Sequence, residues 1–92
     1  MLFPLGQLVV TREVNDRITI DENFAKFVIN SLQRHKQGDW GELPQEDKKA
    51  NQEALQQGFR LFSAYEGKNL PKIWIITESD RSITTILFPS EY

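Results

Sequence analysis

The sequence predicts a single α+β domain, and three observations carry that expectation. Apolar residues recur at helical spacing between Phe24 and His35. From Phe59 onward the apolar period switches to two. At 92 residues, 39% hydrophobic and 26% charged, the chain has the size and make-up of one ordinary core, well away from the compositions that leave chains disordered. The predicted order is β-α-α-β-β-β over residues 1–92. Two main helices pack on one face of a sheet whose last three strands form an antiparallel meander.

Leu5 to Thr11 places Leu8, Val9 and Val10 behind Pro4 and Gly6 and reads as the first strand. Thr11 is positioned to cap a brief helical turn over Arg12 to Arg17. Thr19, with Glu22 three residues later, has the spacing of a capping box and opens the first main helix. Phe24, Phe27, Val28, Ser31, Leu32 and His35 share one face of that helix, and Gly38 supplies the left-handed residue that ends it. Asp39, Trp40 and Gly41 form a loop. Pro44 suits a first helical position and Glu46 and Asp47 the positive end of a helix dipole, so a second helix runs on to Gln57 and stops at Gly58. Its inner face, Ala50, Ala54 and Leu55, is small. Phe59 to Tyr65, Lys72 to Thr77 and Ile83 to Phe88 are the remaining strands, turned at Gly67 to Asn69 and at Glu78 to Ser82.

One feature departs from a sheet with a single wet face. Ile73, Trp74, Ile75 and Ile76 run without a polar break, and in the last strand Ile83 and Leu87 oppose Ile86 and Phe88, so both faces are apolar. The helices cover one face. Trp74, Ile76, Ile86, Phe88 and also Phe62 then need a second cover. Two are open: Met1 to Pro4, Arg12 to Ile20 or Trp40 folds over this face, or the face meets a protein partner or a second copy in a homodimer.

Composition removes several function classes. The net charge is −2 with no basic run, which disfavours nucleic acid; a binder of that kind would have to use the scattered Arg12, Arg17, Lys26, Arg34 and Lys36. There is no cysteine, hence no disulfide, thiol nucleophile or cysteine metal site, in keeping with a reducing cytoplasm. The apolar start lacks a basic leading region and a cleavage site, and no stretch approaches the ~18 apolar residues of a membrane span. The five glycines form no phosphate loop, and no carboxylate pattern suits a cation, so no cofactor or metal is expected.

His35, the only histidine, continues an apolar stripe near a helix end, a place for core packing or carbonyl capping. Glu78, Asp80 and Arg81 lie in the densest polar cluster. They read either as hairpin residues bonding their own backbone or as a small hydrolase or ligand-binding cleft that also draws on His35. Trp40 reads as a core plug or as an exposed binding anchor. With no catalytic constellation, the sequence favours a non-enzymatic binding protein, with Trp40, Trp74, Ile76, Asp80, Arg81, Ile86 and Phe88 as candidate interaction residues.

Arg34-His35, Gly38-Asp39-Trp40-Gly41, Ser63-Ala64-Tyr65 and above all the stretch from Ile73 through Thr77-Glu78-Ser79-Asp80-Arg81 to Phe88-Pro89-Ser90-Glu91-Tyr92 resemble small bacterial proteins usually labelled plasmid-related. The resemblance covers most of the chain and implies a mobile-element setting, with an accessory protein that binds a host or element-encoded protein. Some of these proteins are labelled subunits of type I restriction enzymes, which implies an adenine methyltransferase. This chain has neither the glycine-rich methyl-donor loop nor the Asn-Pro-Pro-aromatic motif such an enzyme needs.

Overall fold

The computed structural model describes residues 2–92. Strand β1 (Gln7–Val10) leads through Thr11 into helix α1 (Arg12–Ile20). Helix α2 (Glu22–Lys36) and helix α3 (Gln45–Gln57) precede strands β2 (Leu61–Gly67), β3 (Leu70–Thr77) and β4 (Ile83–Leu87), and a 3₁₀ turn (Pro89–Glu91) follows. The sheet order is β1-β4-β3-β2. The β2-β3-β4 meander is antiparallel, and β1 joins β4 in parallel.

The predicted turn after Thr11 is a full helix, because Thr11 caps it by accepting from the Val14 amide and Val14 drops into the core. The Thr19–Glu22 capping box does not form. Thr19 lies inside α1, its hydroxyl donating to the Asn15 carbonyl at 2.9 Å. Asp21, in the extended conformation of an N-cap residue, caps α2 instead, its carboxylate accepting from Phe24 N at 3.1 Å. Gly58 ends α3 in the left-handed conformation, and Gly38 takes it one residue past the cap of α2.

The main core lies between the sheet and helices α1 and α2: Val14, Phe24, Val28, Tyr65, Ile73, Ile75 and Ile86, with Phe88 packed against them. A second cluster, Phe3, Trp40, Ala54 and Leu61, seals the β2 end. Strand register fixes the faces. Ile75 sits opposite Ile86 on the helix side, whereas Trp74 sits opposite Leu87 and Phe62 opposite Ile76 on the other. Ile86 and Phe88 therefore belong to the helix-covered core and not to the second face; Leu87 is the residue from β4 that stands beside Trp74. The predicted covers go elsewhere as well. Phe3 and Trp40 pack in the second cluster and α1 packs on α2, while Met1 lies outside the described residues.

The outer edge of β2 is closed with unusual completeness. Asn51 donates to the Phe62 carbonyl at 2.6 Å and accepts from its amide at 3.1 Å. The Ala64 amide donates to the Trp40 carbonyl, the Ala64 carbonyl accepts from Glu42 N, and the Glu66 amide donates to the Glu42 carboxylate. Gly41 makes this possible: at φ +77, a Cβ there would stand 2.0 Å from the Ala64 carbonyl oxygen, so only glycine lets the two backbones meet.

Candidate functional site

His35 is fully buried, so its chemistry is internal. Its Nδ1 is 2.6 Å from Ser63 Oγ and its Nε2 2.9 Å from Thr77 Oγ1, which is 2.8 Å from Thr84 Oγ1; Thr84 donates to the Leu5 carbonyl at 2.7 Å. Each hydroxyl has one proton to give, so the chain has one consistent direction. Thr84 donates to Leu5, Thr77 donates to Thr84, His35 Nε2–H donates to Thr77, and Ser63 donates to the bare Nδ1. The Ser63–His35 pair has hydrogen-bond contact without access: both residues are sealed from solvent and no carboxylate completes them. Burial depresses the His35 pKa from 6.5 to about 4, so the imidazole is neutral at physiological pH.

Glu78, Asp80 and Arg81 do not converge with His35 on a cleft. Asp80 is exposed and accepts from the Ser82 hydroxyl at 2.6 Å and the Ser82 amide at 3.0 Å, bonds that hold its carboxyl below its ordinary 3.8. Arg81, left-handed at φ 60, donates to the carbonyls of Phe59, Ala54 and Glu78, fastening the β3–β4 hairpin to the end of α3. Its guanidinium lies over the ring of Phe3, which in turn meets His35 edge-on. Phe3 thus stands between the two groups that a cleft would have to share.

Trp40 is a plug. It is 3% exposed, stacked on Phe3 with centroids 6.3 Å apart and perpendicular to His35 at 5.7 Å. Its Nε1 is buried and finds no hydrogen-bond acceptor among the described residues. The scattered basic residues are also largely committed: Arg17 pairs with Asp21, Lys26 with Glu22 and Arg34 with Asp39.

What remains open is the face of the sheet opposite the helices. There Phe62, Trp74 and Tyr92 form successive edge-to-face contacts at 5.0 and 5.6 Å. With Arg60 and Ile76 they line a cleft of about 340 Å³. Ile76, the floor, is 3% exposed, and Tyr92, the rim, is 70% exposed. Glu91 positions the rim: its carboxylate accepts from the Phe88 amide at 2.9 Å and from the Thr11 hydroxyl at 2.7 Å, tying the 3₁₀ turn to the start of α1. Arg60 lies over the Tyr92 ring and donates to its hydroxyl at 2.9 Å. Among the described residues no carboxylate forms an ion pair with Arg60.

Of the residues singled out in the sequence, Trp74 and Ile76 line this cleft, while Trp40, Asp80, Arg81, Ile86 and Phe88 lie elsewhere. Arg60 and Tyr92 complete the cleft without having been singled out. Arg60 was reachable from strand parity, two residues before Phe62; Tyr92 follows a turn, where no periodicity applies. Among the described residues no group of His, Asp and Glu is arranged to hold a metal, and no helix is long and apolar enough to cross a membrane. Compared with protein-family models, curated proteins and solved structures, the chain matches none, and the reading of this cleft rests on its geometry.

Proposed function

We propose that the chain is a non-enzymatic interaction module whose cleft of Arg60, Phe62, Trp74, Ile76 and Tyr92 receives a short segment of a partner protein: one large apolar side chain flanked by a carboxylate. The observation that carries this reading is the uncovered aromatic face with, at its rim, a guanidinium that forms no ion pair among the described residues. Edge-to-face aromatic walls over an aliphatic floor suit an apolar side chain, and a cleft of this volume lies at the lower end of ligand-binding pockets. Arg60 supplies charge complementarity toward a carboxylate, which it can hold through two parallel N–H bonds. The cleft has room for a single side chain and its neighbours, which favours an extended segment as the guest. In a plasmid or mobile-element setting, such a module is an accessory protein acting through the partner it holds.

Nuclear magnetic resonance titration with blocked tripeptides tests this. Asp–Phe–Asp at millimolar concentration is expected to shift the Trp74 indole signal and leave the buried Trp40 signal in place. Lys–Phe–Lys and Asp–Ala–Asp are expected to bind at least about tenfold more weakly. Arg60→Gln is expected to remove the preference for the acidic peptide, and Trp74→Ala to remove binding. An indole signal indifferent to all three peptides, or equal binding of the acidic and basic ones, refutes the proposal.

A further inference from the structure

The two edges of the sheet are treated in opposite ways. Every outward polar group of β2 at Phe62 and Ala64 is bonded, by Asn51 and by the strap from Trp40 to Glu42. Strand β1 has no such cover. Gln7 N donates to Ser82 and Thr11 N to Ile86, so the odd positions bond β4 while the amides and carbonyls of Leu8 and Val10 point outward, where no described residue bonds them. Open edges are ordinarily blunted by a charge, a proline or a bulge. Gln7, Leu8, Val9 and Val10 contain none of these, and Leu8 and Val9 are 47% and 36% exposed.

We propose that β1 is a self-pairing edge. Two copies of this chain join β1 to β1 antiparallel about a two-fold axis at Val9, fusing two four-stranded sheets into one continuous sheet. The register follows from which groups are free. Leu8 sits opposite Val10 of the second copy as a hydrogen-bonded pair, each exchanging N–H and C=O with the other. The two-fold axis repeats that exchange, and Val9 faces Val9 of the second copy in the closer, non-bonded position between them. The strand is suited to itself: it carries no charge to repel its image, its β-branched and apolar side chains meet like side chains, and all of its outward polar groups find partners. A contact of four residues per copy falls below the ~1,200 Å² of standard interfaces, which makes the dimer weak and concentration-dependent. It also leaves the aromatic cleft free, since that cleft lies at the β2–β3 side of the sheet.

Sedimentation velocity over a concentration series, on the wild type, Val9→Lys, Val9→Glu and an equimolar mixture of the two variants, tests the pairing. Wild type is expected to pass from monomer to dimer. Each variant, which sets like charges face to face at the axis, is expected to lose at least about tenfold in self-affinity, and the mixture to recover the dimer. Amide hydrogen exchange of the wild type reads the same edge without a substitution: protection of Leu8 and Val10 is expected to rise with protein concentration while that of Val9 stays constant. A chain monomeric at every concentration, a dimer untouched by both variants, or one abolished by Trp74→Glu while Val9→Lys retains it overturns the inference.

Discussion

Lowering the pH from 6.5 to 4 is expected to remove about 3 kcal/mol of folding stability through His35 alone. The folded pKa of about 4 lies below the ordinary 6.5, so within that window the unfolded chain binds a proton that the folded one does not. Stability is complete above 6.5, falls as the pH drops through the window, and levels off below the folded pKa. A depression of this size is worth about 3 kcal/mol, at 1.36 kcal/mol per pH unit. The cause is burial: in a dry site walled by Phe3 and Trp40 a protonated imidazole would be a cation stranded away from water, and protonating Nδ1 would also force Ser63, which donates to it, to reverse. Asp21, Asp39 and Asp80 are held below 3.8 by bonds to Phe24, Arg34 and Ser82 respectively, so their contributions are withdrawn only at lower pH. Urea unfolding as a function of pH checks the result. The wild type should show the loss between 6.5 and 4, and His35→Gln, less stable at neutral pH, should show a nearly flat profile across the same window.

Trp40→Ala is expected to cost about 3–5 kcal/mol, the range for deleting a buried Trp or Phe side chain, out of the roughly 5–15 kcal/mol that hold a typical small domain together. The indole closes the cluster of Phe3, Ala54 and Leu61 and forms one wall of the His35 site. Its removal therefore has a second, separable consequence: water reaches the imidazole, and the His35 pKa rises back toward 6.5. Trp74→Ala, on the open face, should cost about 1 kcal/mol and leave His35 unchanged. Chemical denaturation and histidine titration on both variants distinguish a plug from a surface wall. Equal costs at the two positions would contradict the assignment of the faces.

The helix over Phe24 to His35 and the meander from β2 to β4 were legible because period 3.6 and period 2 leave different marks on apolar spacing. Thr19 misled because a threonine followed three residues later by glutamate has the right spacing for a cap, yet α1 still runs through Thr19, and the residue that caps α2 is Asp21, through the Phe24 amide and not that of Glu22. Assigning Ile86 and Phe88 to the second face was an error of parity across strands. Alternation within β4 separates Ile86 from Leu87, but only the pairing of Trp74 with Leu87 says which of them shares a face with Trp74. The parallel docking of β1 on β4 joins the first and last strands across most of the chain, and no local signal carries such a contact. The role of His35 was readable as core from its stripe. Its chain through Ser63, Thr77 and Thr84 depends on three strand positions that meet only after folding.

The central claim, that the sheet face bearing Trp74 is a surface and the loop bearing Trp40 is core, is tested most directly by tryptophan quenching. The chain has two tryptophans, so Trp40→Phe leaves Trp74 as the sole tryptophan emitter, and the Trp40 Nε1 makes no hydrogen bond among the described residues that the exchange would remove. Acrylamide is expected to quench Trp74 efficiently in the dilute monomer, with red-shifted emission, and the Asp–Phe–Asp peptide to protect it. In the reciprocal Trp74→Phe chain, Trp40 should emit to the blue and resist quenching. A Trp74 that is shielded from acrylamide at every dilution and unresponsive to the peptide would mean that the second face is closed, and the binding role assigned to it would fall.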